Sequence, residues 1–355
     1  MIKIIADKDI PYLENFLKES IDPNIFNITL HHHQDITNSL IKDCEILLVR
    51  STTNVNELIL KDTSVRFVAS ATAGINHLDT EYLESRNIQW GYAPGCNSSS
   101  VTHYVMAAIA IAIDKRKLSY NSKIGIIGYG HIGKKVAHNL YLLGFDVSIY
   151  DPYLNNEDLV DFESILECDL LTIHVPYTSK GKYPTHNLIT KKELSKLEHK
   201  VLINSSRGGI VNEADIIDNK KIIYIADVWD NEPLPSTDII KNAFIATPHI
   251  AGYSKQGKLN GSKAIAYKVV NYIKNKKHFH PFDFSEQHNR NNLGLKLNRN
   301  QDEAYPLQFF KKNLNLELIT SELKILFRQN IEDKLLSKEF IIMRSNHPER
   351  NDFDS

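Results

Sequence analysis

Short apolar runs alternate with longer amphipathic segments along most of the chain. In the first third the runs are IKIIAD, EILLVRS, VRFVASATAG and IQWGYAPG, and an acidic, polar segment of helical character separates the first two. Short runs rich in β-branched residues predict strands, and the segments between them predict helices. Strands that alternate with helices predict a parallel sheet covered on both faces.

A second series of strands follows a long predicted helix at 98–117. Its apolar runs are KIGII, DVSIYD, LLTIHV, KVLINSS, IIYIADV and FIATPH, separated by segments of helical length. This order predicts a doubly wound α/β sheet. The next helix, after TPHIAGYS, is expected to return the chain to the first domain near Pro281. The polar, Asn-rich stretch 285–301 predicts a linker, and LNLELITSELKILF beyond it fits helix and strand templates equally.

The composition is that of an ordinary globular protein of about two domains. The 355 residues carry 42 Lys and Arg against 43 Asp and Glu, a formal net charge of −1, so charge gives no reason to expect nucleic acid or an acidic membrane as partner. The longest apolar run, at 105–113, is half a membrane span, and the N-terminal apolar stretch is too short for a signal peptide. We therefore expect a cytoplasmic protein with a small-molecule ligand.

The cysteines and histidines do not predict a metal site. Cys44, Cys96 and Cys168 are far apart and form no metal-ligand pattern, so they predict reduced thiols. The histidines at 31–33 are consecutive, so their side chains diverge on a strand or a helix and predict a solvated patch.

A glycine-rich turn lies within KIGIIGYGHIGKKVAHNLYLLGFDVSIYD. Gly128, Gly130 and Gly133 form GxGxxG between a predicted strand and a predicted helix, and Asp151 ends the next strand. Such glycines allow a tight turn, close approach of a pyrophosphate and close helix packing, while the acid binds a ribose 2′-OH. We predict an NAD site, since a carboxylate at Asp151 would repel the additional phosphate of NADP. The alternative is a tight turn without a ligand.

Two residues at the end of LLTIHV lie where a strand would face the same cofactor. His174 and Val175 either contact it or merely end an ordinary strand.

Three polar residues that follow apolar strands form a candidate catalytic set. Arg207 lies in INSSRGG, Glu232 in DVWDNEP and His249 in TPHIAGY. The guanidinium is suited to hold the carboxylate of a 2-hydroxy acid, and the imidazole is suited to take the hydroxyl proton as hydride leaves. The acid would orient the imidazole and stabilise its protonated form.

Each of these three residues also has a structural alternative. Arg207 could form a surface ion pair, Glu232 could be a turn residue before Pro233, and His249 could be a satisfied histidine after a bend. Their joint occurrence, in this order behind a dinucleotide-binding pattern, favours catalysis.

The chain resembles the D-isomer-specific 2-hydroxyacid dehydrogenase family. GYGHIG, NSSRGGIVNE, DVWDNEP and TPHIAGY carry the resemblance. Within the family, LLVRSTTNVNE, FVASATAGINHLD, APGCNSSSVTHYV, HIAGYSKQGK and RSNHPERNDF are most similar to the branch that oxidises 4-phospho-D-erythronate in vitamin B6 biosynthesis. The match runs from about residue 1 to 275, with a weaker similarity in the last dozen residues.

The resemblance implies roles for individual residues. It makes Arg207, Glu232 and His249 catalytic, places Asp151, Val175, Asp227 and Gly252 at the NAD cofactor, and places Ser51, Thr72 and Tyr253 at the substrate. Ser51 and Thr72 also follow or end apolar runs, where hydroxyl and N–H groups could bind phosphate with help from Arg50; local turn capping is the alternative.

The resemblance also implies a domain organisation. A Rossmann-type NAD-binding domain at 98–253 is expected to be inserted into a flavodoxin-like substrate domain formed by 1–97 and 254–284, with an interdomain cleft. Residues 285–355 are expected to form a small α+β region that dimerises, giving a homodimer.

The sequence departs from the family pattern at two positions. Asn212 and His103 stand where acidic residues are usual. In the tail, Arg344 or Arg350 is a candidate to reach a partner's site and bind phosphate. Two alternative functions stay open: another D-2-hydroxyacid dehydrogenase, for example one acting on D-3-phosphoglycerate, and a non-catalytic NAD-sensing protein.

Overall fold

The computed structural model describes residues 1–275, 305–329 and 331–352, which divide into two compact units. Residues 1–97 and 254–275 belong to the first unit, and 98–253, 305–329 and 331–352 belong to the second. The predicted boundary near Pro281 and the predicted linker at 285–301 lie outside the described residues.

The first unit contains a five-stranded parallel sheet in the order β2-β1-β3-β4-β5. Its first 97 residues form β1 (Ile2–Asp7), α1 (Leu13–Ser20), β2 (Phe26–His31), α2 (Asn38–Ile41), β3 (Ile46–Val49), α3 (Glu57–Leu60), β4 (Phe67–Ser70), α4 (Thr80–Ser85) and β5 (Gln89–Tyr92). This strand order is that of flavodoxin-like sheets, as the sequence predicts.

Alternate residues of the central strands pack into two separate cores, one on each face of this sheet. Ile46 and Leu48 of β3 belong to one core, and Leu47 and Val49 belong to the other. Such burial on both faces explains why these strands are continuous apolar runs. The pattern does not predict β2, because only Phe26 of this edge strand is buried.

The second unit is built on a six-stranded parallel sheet in the order β11-β10-β9-β8-β6-β7. Its elements up to residue 246 are α5 (Ser98–Asp114), β6 (Lys123–Ile127), α6 (His131–Leu142), β7 (Asp146–Tyr150), α7 (Phe162–Ile165), β8 (Leu170–Ile173), α8 (Lys191–Leu194), β9 (Val201–Asn204), α9 (Glu213–Asp218), β10 (Ile223–Ala226), α10 (Thr237–Asn242) and β11 (Ile245–Ala246). β7 is added on one side of β6, whereas β8 and the later strands are added on the other side. Doubly wound sheets bind ligands at the point beside β6 where the strand order switches in this way.

The remaining helices are α11 (Lys255–Asn275), α12 (Tyr305–Asn313), α13 (Leu316–Leu326) and α14 (Asp333–Ser345). The first packs on α1, β4 and β5 in the first unit, whereas α12 packs on α5 and α13 packs on β11 in the second. The ambiguous segment LNLELITSELKILF is helical, and Asn315 caps it by accepting the N–H of Leu318 at 3.1 Å.

The described C-terminal helices therefore group with the second unit, whereas the sequence predicts a separate α+β region from residue 285. Buried His103 on α5 shows one such contact, since its Nε2 donates to the carbonyl oxygen of Phe310 on α12 at 3.2 Å. None of the helices in the described ranges has the length and apolarity needed to cross a bilayer.

Candidate active site

The GxGxxG turn connects the end of β6 to the start of α6. Gly128 has a left-handed φ of 94°, and a Cβ on Gly133 would lie 2.0 Å from the carbonyl oxygen of Gly128. Gly130 is the N-cap of α6, and beyond its two chain neighbours no described residue lies within 4 Å of the position that its Cβ would occupy. The turn thus leaves open space at a helix N-terminus, which fits the pyrophosphate of NAD.

Asp151 lies immediately after β7 and is bonded to this turn. Its Oδ2 accepts the N–H of Tyr129 at 2.9 Å, and its Oδ1 accepts the N–H of Tyr153 at 3.1 Å. A carboxylate has further lone pairs on both oxygens, so Asp151 can still accept from a ribose hydroxyl. The acid and the glycines that the sequence pairs are therefore brought together.

The end of β8 lies against the same turn. A Cβ on Gly128 would lie 2.6 Å from the carbonyl oxygen of His174 and 2.8 Å from Cγ1 of Val175. The His174 ring contacts the Thr172 hydroxyl at 3.0 Å through Nε2, while its buried Nδ1 has no hydrogen-bond partner among the described residues. Burial lowers the pKa of His174 to about 3, so the ring is neutral near pH 7.

The buried neutral ring of His174 predicts acid-sensitive folding. Its pKa is about 3 when folded against an ordinary 6.5, so below pH 6.5 the unfolded chain binds a proton that the folded chain does not. This group should lower the free energy of unfolding by about 1–2 kcal/mol between pH 6.5 and 5. Urea unfolding at both pH values should show a smaller pH dependence for His174→Asn than for the wild type, and equal dependence would contradict this.

Glu232 and His249 form a hydrogen-bonded pair. Nδ1 of His249 lies 2.7 Å from Oε2 of Glu232, and the two side chains are 29% and 19% exposed. Burial favours the neutral form of Glu232, but attraction to His249 and hydrogen bonds from His249 and the Trp229 N–H outweigh it and lower the pKa of Glu232. Because a carboxylate only accepts, Nδ1 is the donor in this pair, and Nε2 is the ring atom left to exchange a proton with a substrate.

The loop that carries Glu232 is fixed by Trp229. The Trp229 N–H donates to Oε1 of Glu232 at 2.9 Å, and the Trp229 indole N–H donates to the carbonyl oxygen of Thr247 at 2.9 Å. Buried Glu213 accepts the N–H of Asp230 at 2.9 Å in the same loop. These bonds hold the loops of Glu232 and His249 in one arrangement.

Asp227 holds the loop on the other side of His249. Its buried carboxylate accepts the hydroxyl of Thr247 at 2.6 Å and the N–H groups of Ile250 and Ala251 at 2.7 and 2.8 Å. His249 itself has a φ of 59°, which is unfavourable for a residue with a Cβ and persists only when the surroundings fix it. In this structure Asp227 shapes the loop that leads into Gly252 and Tyr253, the positions that the resemblance assigns to cofactor and substrate.

Arg207 follows β9, and its Nη1 donates to the carbonyl oxygen of Ser206 at 2.6 Å. A Cβ on the next residue, Gly208, would lie 2.1 Å from the Trp229 carbonyl oxygen, so the Arg207 loop packs directly on the Glu232 loop. Burial lowers the pKa of Arg207, attraction to Glu232 raises it and repulsion from Arg344 lowers it further. The three predicted catalytic side chains thus belong to interlocked loops at the carboxyl ends of β9, β10 and β11.

The two tail arginines have different surroundings, both within this chain. Nη1 of Arg344 lies 3.9 Å from Oε2 of Glu232, and its guanidinium lies 5.8 Å from the centre of the Tyr253 ring. Arg350 is 8% exposed and donates to the carbonyl oxygens of Ser100, Ile250 and Ala251. Arg350 is therefore a buried brace for the His249 loop, and its guanidinium is bound within its own chain.

Ser51 and Thr72 occupy matching positions in the first unit. Val49 and Ser70 are paired in register on β3 and β4, and each hydroxyl residue lies two positions beyond its strand's paired residue. Exposed Ser51 lies in a turn, whereas the Thr72 hydroxyl bonds with the Ser70 hydroxyl at 2.8 Å and donates to the Gly74 carbonyl at 3.0 Å. The Thr72 hydroxyl therefore makes local hydrogen bonds, and its contact with the substrate stays a prediction.

Arg50 does not offer the free charge that the sequence suggests. Its Nε donates to Oδ2 of Asp7 at 2.9 Å and its Nη2 donates to Oδ2 of Asp9 at 2.7 Å.

His32, His33 and Asp9 have potential ligand atoms within 4.8 Å of one another, closer than the divergent side chains predicted from sequence. The carboxylate of Asp9 is nevertheless already bound by Arg50.

The residues that sequence reasoning missed hold the site together through long-range contacts. Glu213 and Trp229 were not named from the sequence, and Asp227 was assigned to the cofactor without its contacts with the His249 loop, which form only in the folded chain. Arg344 and Arg350 were noticed because the tail RSNHPERNDF resembles that of the family. The tail sequence did not indicate which residues of the fold the two arginines contact.

The chain is similar to known dehydrogenases in sequence. Residues 112–251 match the family described as D-isomer specific 2-hydroxyacid dehydrogenase, NAD binding domain. The erythronate-4-phosphate dehydrogenase of a Marinomonas species is 39% identical over 77% of this chain and 73% of its own length. The enzyme of the same name from Wigglesworthia glossinidia brevipalpis is 34% identical over 88% of this chain and 84% of its own length.

Solved structures share the fold. The NAD+-bound 3-phosphoglycerate dehydrogenase of Entamoeba histolytica superposes with a TM-score of 0.66 at 23% identity, covering 78% of this chain and 96% of that one. An NAD-dependent formate dehydrogenase from Staphylococcus aureus, in complex with NAD, gives a TM-score of 0.64 at 20% identity, covering 79% and 97%.

Proposed function

Because this chain belongs to the erythronate-4-phosphate dehydrogenase family, we propose that it oxidises 4-phospho-D-erythronate at C2 to (R)-3-hydroxy-2-oxo-4-phosphooxybutanoate in pyridoxal 5′-phosphate biosynthesis. Membership makes it an NAD-dependent D-2-hydroxyacid dehydrogenase. The observation that carries the proposal is the 2.7 Å pair between His249 and Glu232, which lies on loops packed against that of Arg207.

The cofactor site uses the residues around the glycine turn. The N-terminus of α6 and the turn of Gly128, Gly130 and Gly133 would receive the pyrophosphate, and Asp151 would accept from a ribose hydroxyl. Val175 contacts the turn. Asp227 and Gly252 belong to the proposed cofactor site on the loops that follow β10 and β11. NAD, when bound, supplies the hydride acceptor for the reaction.

The proton and the substrate carboxylate are handled by the catalytic loops. Arg207 binds the carboxylate and presents the C2 hydrogen, while Nε2 of His249 takes the proton of the C2 hydroxyl. As the C2–H bond breaks, its electron pair leaves with the hydrogen and the C2–O bond becomes a carbonyl. Glu232 keeps Nδ1 protonated and stabilises the imidazolium that forms. Ser51, Thr72 and Tyr253 are the proposed further contacts of the substrate.

A substrate panel tests the proposal. Purified protein with NAD should form NADH with a kcat/KM at least about 10-fold higher for 4-phospho-D-erythronate than for 3-phospho-D-glycerate or D-lactate. Preference for another acid would keep the dehydrogenase chemistry and reject the substrate. NAD binding without turnover of any acid would favour an NAD-sensing protein.

The first unit is proposed to bind substrate, the second to bind NAD, and the C-terminal helices to form a homodimer. Leu318 and Ile325 lie seven residues apart on α13 and are 53% and 56% exposed. Leu335 and Ile342 have the same spacing on α14 and are 45% and 36% exposed. This spacing places each pair on one helix face, and such exposed apolar faces favour contact with a second copy. The three cysteines are buried and form no disulfide, which fits a cytoplasmic location. Sedimentation of the full chain distinguishes a dimer from a monomer.

A further inference from the structure

We propose that Arg344 is a specificity-determining residue that binds the phosphate of the substrate, a role that rests on the function proposed above. Arg344 lies in the last turn of α14. Its guanidinium is beside Glu232, the carboxylate that orients His249. It is thus a second cation, in addition to Arg207, near the proposed reacting groups.

The guanidinium of Arg344 is poorly satisfied by the protein. In the described part of the chain it donates no hydrogen bond within 3.5 Å, its Nε is buried without a partner, and its closest carboxylate oxygen is 3.9 Å away. An arginine has five N–H donors, and leaving such donors unpaired in a partly buried site is costly. The side chain is 29% exposed, so a ligand can reach it.

The charge of the site favours an anion at this position. Arg207 and Arg344 carry two positive charges, and the carboxylate of Glu232 is already hydrogen-bonded to His249. A phosphorylated 2-hydroxy acid carries a carboxylate and a phosphate. Arg207 suffices for the carboxylate, and the planar fork of a second guanidinium matches two phosphate oxygens.

The other arginine suggested for the phosphate is occupied. Arg50 is held by the carboxylates of Asp7 and Asp9 in the first unit, so its charge is compensated within the protein. The Arg344 guanidinium has the Tyr253 ring against one face, and its partly exposed side chain can present the terminal N–H groups to a ligand.

The alternative is that Arg344 acts only through Glu232. Arg344 contributes to the lowered pKa of that carboxylate, after the larger effects of burial, His249 and Trp229. Such a positioning residue would affect phosphorylated and unphosphorylated substrates alike and would alter the pH profile of kcat. A phosphate-binding residue would change chiefly the KM of the phosphorylated acid.

The experiment compares wild type, Arg344→Gln and Arg344→Lys with 4-phospho-D-erythronate and with D-erythronate, as substrate or competitive inhibitor. Arg344→Gln should raise KM for the phosphorylated acid by about 10- to 100-fold, corresponding to a lost charge-assisted hydrogen-bond pair, and leave the constant for D-erythronate nearly unchanged. Arg344→Lys keeps the positive charge and should raise KM for the phosphorylated acid less than Arg344→Gln does. The Lys variant replaces the Gln variant in the comparison if the Gln variant does not fold. Lys338→Gln, which removes an exposed cation from the same helix, is the control and should match wild type.

The outcomes separate this proposal from the proposed function. If wild type oxidises 4-phospho-D-erythronate and Arg344→Gln changes neither acid, or weakens both equally, the phosphate role is wrong while the function stands. If wild type oxidises no acid, inorganic phosphate replaces the substrate as probe. Phosphate should then raise the Tm of wild type and not of Arg344→Gln, and an equal shift or no shift in wild type would overturn the proposal.

Discussion

His249→Ala lowers kcat for 4-phospho-D-erythronate by about 1,000-fold, while NAD binding changes little. The variant loses the group that takes the hydroxyl proton, and a positioned general base contributes about 100- to 10,000-fold. Glu232→Gln should have a smaller effect, because the amide cannot stabilise the imidazolium although it can still occupy the space near Nδ1. Steady-state kinetics and calorimetric NAD titration provide the two measurements.

The control for this prediction is another histidine of the second unit. His138 is exposed on α6 and is not one of the proposed catalytic residues, so His138→Ala should keep the wild-type kcat. A His249→Ala variant with more than about one tenth of the wild-type kcat would show that another group accepts the proton.

Asp227→Ala both unfolds more easily and turns over more slowly. The substitution removes the acceptor of the Ile250 and Ala251 N–H groups and leaves them buried. Two such orphaned donors should lower the free energy of unfolding by about 2–4 kcal/mol. The His249 loop would lose its restraint, and kcat should fall by about 100-fold, as expected when a reacting group is misplaced by about 1 Å.

The matched control is an aspartate that also caps a backbone N–H, at the opposite end of the strands. Exposed Asp169 accepts the N–H of Lys123 at 2.8 Å before β6 begins. Asp169→Asn should leave kcat unchanged and cost little stability. Urea unfolding and steady-state kinetics test both variants, with Asp227→Asn as substitute if the Ala variant does not fold. Wild-type stability and kcat in the Asp227 variant would contradict its role as a brace.

Features set by short stretches of sequence could be predicted. The central strands are buried on both faces and therefore form apolar runs, and the glycine turn combines its required residues within six positions. Parallel strands also point their carboxyl ends the same way, so polar residues such as Arg207 and His249, placed directly after strands, were expected at one edge. The doubly wound α/β fold is confirmed.

Features set by long-range packing could not be predicted. β2 is an edge strand with one buried residue, so it lacks an apolar run. The role of Asp227 depends on a loop that lies 20 to 24 positions further along the chain. Arg350 binds carbonyls about 100 and 250 positions away, and no local pattern encodes such partners.

Transfer of deuterium from C2 tests the proposed chemistry most directly. Wild-type protein is incubated with NAD and 4-phospho-D-erythronate deuterated at C2, and the NADH is analysed by mass spectrometry. Direct hydride transfer predicts one deuterium in each NADH formed and a slower turnover than with the undeuterated acid where C–H cleavage limits the rate. His249→Ala should form this NADH about 1,000-fold more slowly. NADH without deuterium, or an absence of NADH with this acid, would contradict oxidation at C2 by this site.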